Sequence, residues 1–233
     1  MLQVAVARVK AEGLLLDYAN IELEDLIRTA GVPRSTVFRI WPDRAAFVAD
    51  LVRALFEADP GFDTGFDAET LDALRQAVAE SAGAPAAERP AMLRDLLRRA
   101  AAHNMVAVEN TIAWRAYRTM SAALSSGDAV PGGDGIRALL SELEGRYAER
   151  MAEIYRALNQ AFGMRMRDGV SEADLAIAVM AMIDGMSDHR RIDPATVDAP
   201  RTVALGPEGP RDWHLAGIAV WGIYTAFTES ADA

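Results

Sequence analysis

Between Leu23 and Leu51 the residues leave room for little except short helices meeting at an angle. Leu23, Leu26 and Ile27 give a first helix one apolar face at helical spacing. Ala30-Gly31-Val32 makes the turn, where glycine takes a left-handed backbone conformation without a Cβ clash and stops the helix. Pro33, with its fixed φ, suits the first turn of a second helix from Arg34 to Ile40. That helix turns Val37 inward and Ser35, Thr36 and Arg39 outward. Trp41-Pro42-Asp43 breaks it, and Asp43 can cap a third helix whose apolar residues include Phe47, Val48 and Leu51. Two helices on a tight glycine turn, the second short and lined with hydroxyls and arginine, suit the DNA major groove.

The same run resembles the DNA-binding signature of TetR-type (tetracycline-repressor-like) transcriptional regulators. The matching elements are Leu26, Ala30-Gly31-Val32, Thr36, Phe38-Arg39, Trp41, Pro42, Arg44 and Phe47, in order and without a gap. By the resemblance, Arg34 to Arg39 would enter the major groove of double-stranded operator DNA. Ser35 and Thr36 would touch bases or phosphates, and Arg39 would reach a base edge or a phosphate. Phe38 stands where the family usually has a phosphate-contacting tyrosine, so the ring is kept and the hydroxyl lost. Arg44 stands where the family usually has a lysine at the start of the linking helix. Glu22 replaces a common threonine, Ile27 replaces a small alanine, and no basic arm precedes the motif. Asn20 is a candidate cap for the first motif helix. Backbone contact would then rest on Arg34, Thr36, Arg39 and Arg44, and binding would be strongly salt-dependent.

A net charge of −10 looks adverse for a DNA-binding chain. Placement matters more than the total, because phosphate contacts are local and screened within about 8–10 Å at physiological salt. Residues 33 to 44 hold Arg34, Arg39 and Arg44 against one acid, Asp43. The 233 residues, 51% of them hydrophobic, suffice for a sizeable core. Alanine, leucine and methionine abound and β-branched runs are scarce, so the expected class is all-α. The absence of cysteine excludes disulfides, thiolate metal sites and cysteine nucleophiles. No leader pattern stands at the start, and the longest apolar stretch, Leu215 to Phe227, is too short to span a membrane. A cytoplasmic protein is expected.

The periodicity predicts a first helix over 2–16 and a linking helix over 43–58, closed by Asp59-Pro60-Gly61. Further helices are expected over 68–81, 88–103, 106–124, 136–166, 172–187 and 212–229. Ile136, Leu139, Leu140, Leu143, Tyr147, Met151, Ile154, Leu158 and Phe162 fall at steps of three and four. Ser171 and Asp174 form a capping box. Gly132-Gly133-Asp134-Gly135 follows no strand and reads as a linker, not a phosphate cradle. Residues 188–211, with Pro194, Pro200, Pro207 and Pro210, read as a long mobile loop. Helices 172–187 and 212–229 are apolar almost all round, which calls for burial on every side and so for a homodimer through a four-helix bundle. The domains are then a helix-turn-helix head, 1–57, and a helical ligand-binding and dimerisation domain, 58–233.

The resemblance further implies a small-molecule effector among the central helices. Inward-facing bulky or adaptable residues there are Trp114, Tyr117, Met120, Tyr155, Phe162, Met182 and Met186, which suit a partly apolar ligand. Asp184 interrupts an apolar helix and calls for a partner: the second subunit, Arg190 or a polar ligand group. His103, His189 and His214 show no paired spacing with acids on one helix, so no catalytic site, metal or cofactor is expected. The expected function is a ligand-responsive DNA-binding repressor released by its effector. The alternative is a helical interaction or ligand-binding module that has lost specific DNA binding.

Overall fold

A computed structural model of the chain describes residues 1–12, 23–59, 66–125 and 133–231. Among these residues the elements run α1 (Leu2–Glu12), α2 (Leu23–Ala30), α3 (Arg34–Ile40), α4 (Arg44–Glu57), α5 (Ala68–Gly83) and α6 (Arg89–Glu109). They continue with α7 (Ile112–Ser125), α8 (Gly133–Phe162), β1 (Met164–Met166), α9 (Glu172–Ile192) and α10 (Pro194–Asp198). The chain ends with β2 (Arg201–Val203), β3 (Arg211–Trp213), α11 (Leu215–Phe227) and β4 (Thr228–Ser230). The fold is all-α. The four short strands among the described residues form two antiparallel pairs, β1 with β4 and β2 with β3.

The residues divide into two packing units, Met1–Asp63 with Asn110–Arg146, and Thr64–Glu109 with Tyr147–Ala233. In the first, Ala5, Leu26, Phe47, Leu51, Leu55 and Ala116 form one buried cluster, with Trp41 and Ile112 packed against it. Leu51 and Leu55 carry the apolar face of α4 past the head, and Ala116 and Ile112 of α7 cover it. Arg53 on α4 also grips Glu142 on α8 with two hydrogen bonds, 2.8 and 3.3 Å.

The second unit is built around α6, α8, α9 and α11. Leu93, Leu97, Met105, Met151, Leu158, Leu175, Val179, Ala216 and Val220 are buried together. The α6–α11 approach is close: a Cβ at Gly217 would stand 3.0 Å from the Arg98 carbonyl oxygen and 3.3 Å from the Trp213 ring, tighter than most Cβ contacts. One polar pair sits inside this core, where the Tyr224 hydroxyl donates to Asn159 Oδ1 at 2.6 Å.

Several boundaries differ from those read in the sequence. The helix expected to end at residue 103 runs to Glu109, because Asn104 and Met105 are buried within it and the break waits for Thr111. The Thr111 hydroxyl there accepts from the Trp114 backbone N–H. The helix expected to reach 166 stops at Phe162, since residues 164–166 pair with 228–230. The same pairing, with a His214 cap, trims the last helix to Leu215–Phe227. Gly133 to Gly135 are not a linker but the first turn of α8, where Asp134 suits the positive helix end. Residues 188–211 are not one long loop. α9 continues to Ile192, and α10 and the β2–β3 hairpin follow, held by Arg201 donating to the Thr196, Val197 and Ala199 carbonyls. The Ser171–Asp174 capping box is present at the start of α9. Leu14 to Leu16, Asn20, Glu22, Pro60-Gly61 and Pro131-Gly132 lie outside the described residues.

Candidate nucleic-acid interface

α2, α3 and α4 form the head that the spacing predicts. Gly31 takes φ 62 at the turn, where its N–H donates to the Arg28 carbonyl at 3.3 Å. Pro33 is the N-cap of α3, with the Thr36 N–H reaching its carbonyl at 3.0 Å. Leu26, Val37 and Phe47 are each 3% exposed or less, one buried anchor from each helix. Ile27 is buried as well. Trp41 ends α3: its N–H donates to the Val37 carbonyl, its indole N–H donates to Asp50 Oδ2 at 2.8 Å, and its ring stands edge-on to Phe47. Asp43 accepts from the Ala46 N–H at 2.8 Å and starts α4 beside Arg44.

Helical geometry sorts the exposed side chains of α3. With Val37 buried, Ser35 and Arg39 point the opposite way and are exposed. Thr36 and Phe38 flank them, half-buried. Charge is distributed unevenly among the head's arginines. Arg8 and Arg28 both bind Asp25, and their hydrogen bonds hold its carboxyl below the usual range. Arg34 pairs with Glu24 at 2.8 Å and lies over the Phe38 ring, 5.2 Å from its centroid. Arg39 and Arg44, both exposed, have no ion-pair partner among the described residues. Of the arginines on α2, α3 and the start of α4, these two are the ones left unpaired among the described residues. Of the residues read as DNA contacts, Arg34, Ser35, Thr36, Phe38 and Arg39 thus share one short helix, and Arg44 begins the next.

The seven residues read as effector contacts are distributed over both packing units. Trp114, Tyr117 and Met120 belong to α7 in the first; Met120 is buried and the other two half-buried. Tyr155, Phe162, Met182 and Met186 belong to the second. Within that unit a small cavity of about 30 Å³ is lined by single stripes of several helices. α5 gives Thr70 and Leu74, α6 gives Leu97, Ala101 and Asn104, α8 gives Tyr155 and Leu158, and α9 gives Val179 and Ile183. Of the seven, Tyr155 lines it. Burial pushes the Tyr155 phenol well above its ordinary range, so it stays a neutral hydroxyl. Asn104, 7% exposed, was missed by sequence reasoning. Its signal is a lone carboxamide on the apolar stripe Leu93, Leu97, Ala101, Asn104.

At the edge of this cavity Asp67 caps α5 and ties it to α6. The Thr70 hydroxyl donates to Asp67 Oδ2 at 2.6 Å, and His103 Nε2 lies 3.0 Å from Oδ1. Partial burial pushes the Asp67 carboxyl up, and the bonds from Thr70 and His103 outweigh it and leave it lowered. No group of three or more potential metal ligands occurs among the described residues. No helix among them is long and apolar enough to cross a membrane.

α9 and α11 bury one face each: Leu175, Ala176, Val179 and Ile183 on α9, Ala216, Val220 and Tyr224 on α11. Their other faces are small and apolar yet uncovered in the single chain. Ala173, Ile177, Ala181 and Gly185 are exposed at steps of four on α9, with Ile177 49% exposed, and so are Gly222 and Ala226 on α11.

No model of a known protein family matches the sequence, and no curated protein matches it. Among solved structures the chain is similar to one assigned to a TetR-family transcriptional regulator from Mesorhizobium loti MAFF303099. The TM-score is 0.51 at 14% identity, over 97% of this chain and 94% of that one. A complex of SmeT with triclosan aligns with TM-score 0.47 at 14% identity, over 98% and 90% of the two chains. The TetR-family regulator PfmR from Thermus thermophilus aligns with TM-score 0.38 at 15% identity, over 97% and 96%. The first of these carries the fold comparison. Nearly end to end, the chain has the all-α fold of the TetR-family transcriptional regulators, the family whose DNA-binding signature residues 23–51 resemble.

Proposed function

We propose that the chain is a homodimeric transcriptional regulator that binds a roughly palindromic operator through α3 and releases it on binding a small effector, acting as a repressor. The observation that carries this reading is the outward pair Ser35 and Arg39 on a short helix anchored by Val37, with Arg39 and Arg44 uncompensated among the described residues. Two such heads on a two-fold axis would enter major grooves about 34–36 Å apart or a multiple of that. The uncovered small-residue faces of α9 and α11 favour the dimer, since four helices with Gly185 and Gly222 at their seam can pack closely. For the effector, the cavity beside Asn104 and Tyr155 favours a neutral, mostly apolar molecule with one hydrogen-bonding group. At about 30 Å³ it holds little more than a water, so the effector would have to open it. Release then depends on the effector preferring the opened state.

The test is selection of bound sequences from random double-stranded DNA at low salt with the full chain, followed by binding of variants. Arg39→Ala should weaken the selected site at least about tenfold, the size of one good base contact. Arg44→Ala should weaken all sequences alike and reduce the salt slope by about one. The Glu24–Arg34 pair, which neutralises a cation of α3, joins the Glu22 and Phe38 substitutions in favouring a head that has lost DNA binding. Failure of the unaltered protein to enrich any DNA at low salt would establish that second reading.

A further inference from the structure

α3 offers three ridges to the outside, each an i,i+4 pair. Ser35 and Arg39 form the central one, opposite buried Val37. On one flank Arg34 lies over the ring of Phe38. On the other flank stand Thr36 and Ile40. Ile40 is 55% exposed and is not among the residues of the head core. It is not needed to end the helix either, because Trp41 does that by turning back onto Asp50 and Phe47. A lone exposed isoleucine is ordinary on most surfaces. This one follows Arg39 directly and ends the helix just before α4 begins at Arg44. The surface around it is thus complementary to a polyanion, while Ile40 itself has nothing to offer a phosphate.

What an aliphatic side chain can read on DNA is the C5-methyl group of thymine, which projects into the major groove and is absent from the other bases. We propose that Ile40, with the methyl of Thr36 beside it, recognises a thymine in each operator half-site through that C5-methyl group. This rests on the DNA-binding reading above and adds a specificity that Arg39 alone does not supply. Against thymine, Ile40 gains a buried methyl contact. Against cytosine it faces the N4 amino group, which would lose its water with no acceptor in return. Ile40 is therefore a specificity residue, and its removal should leave the contacts of Arg39 and Arg44 in place.

The experiment uses the full chain and the operator enriched from random DNA. Each thymine in a half-site is replaced in turn by deoxyuridine, which deletes the methyl and keeps every hydrogen-bonding group. At one thymine per half-site the unaltered protein should lose about fourfold in affinity, the worth of one methyl-sized apolar contact. Ile40→Ala should bind that operator with an unchanged salt slope and show a clearly smaller loss at the same deoxyuridine. Ile40→Val, which keeps part of the contact, should show an intermediate loss. Insensitivity of the unaltered protein to deoxyuridine at every thymine, an operator without thymine, or a loss undiminished in Ile40→Ala would each overturn the proposal while DNA binding stands. If the unaltered protein enriches no DNA, both fall together.

Discussion

Arg190 on α9 holds the carboxylate of Glu109, the last residue of α6, at 2.7 Å through Nη1. Its Nε holds Asp198 at the same distance, and Asp198 also meets His214 Nε2 at 3.2 Å. Glu109 is 12% exposed, and its Oε1 is buried without a hydrogen bond. A carboxylate at a helix C-terminus opposes the helix dipole, so this one depends on Arg190. Arg190→Met should destabilise the chain by about 2 kcal/mol, lowering Tm by roughly 4–8 °C in thermal unfolding. Adding Glu109→Leu should restore most of that loss, because the stranded charge leaves with its partner. If the double variant melts as low as the single one, Arg190 acts through packing or through Asp198 and not through Glu109.

The buried pair Tyr224 and Asn159 tests a neutral contact in the same way. The Tyr224 hydroxyl donates at 2.6 Å, and both residues are 3% exposed or less. Tyr224→Phe keeps the ring and strands Asn159 Oδ1, which should cost about 1–2 kcal/mol in denaturant unfolding at an unchanged m-value. A neutral outcome would mean that water or another donor reaches Asn159.

Acid sensitivity follows from the carboxylates held low. The hydrogen bond from Arg190 lowers Asp198 most, burial opposes it, and His214 lowers it further. A carboxylate whose folded pKa lies below its unfolded value, about 3.9 for aspartate, stabilises the fold above that value and loses this effect as pH falls through the folded one. Asp198 is 39% exposed, so its share is about 1 kcal/mol or less. The gap in Tm between the unaltered chain and Asp198→Asn should stay level above the unfolded value and close as pH falls below it. A gap that widened on acidification would reverse the assigned sign.

Residues 23–51 were legible because glycine, proline and caps are local signals: Gly31, Pro33 and Asp43 stand where their chemistry requires them. The capping box at Ser171 was legible for the same reason. Pairings between segments distant in the chain were not. Nothing near Met164 announces that residues 228–230 will pair with it, and the apparent loop 188–211 is fixed by Arg190, Arg201 and the β2–β3 hairpin. The cavity was half legible. Tyr155 stands out by its bulk, whereas Asn104 is small and polar, so the large apolar pattern that marks a pocket does not mark it.

The same limit applies to Arg34, which the sequence offers as a free cation for DNA. Its guanidinium is engaged by Glu24 on α2 and stacked over Phe38. To reach a phosphate it must leave Glu24, and the released carboxylate then faces the duplex. Both groups are exposed, 68% and 60%, so the pair itself is worth at most about 1 kcal/mol. Glu24→Gln removes the competition and the repulsion, and should raise DNA affinity about twofold to fivefold at low salt, with less gain at high salt. Phe38→Ala should act oppositely, since Arg34 loses the ring that positions it while keeping its tie to Glu24. Titrations of the selected operator at two salt concentrations separate the cases. Glu24→Gln binding no tighter than the unaltered chain would show that Arg34 contributes nothing to the interface, leaving Arg39 and Arg44 as its cations.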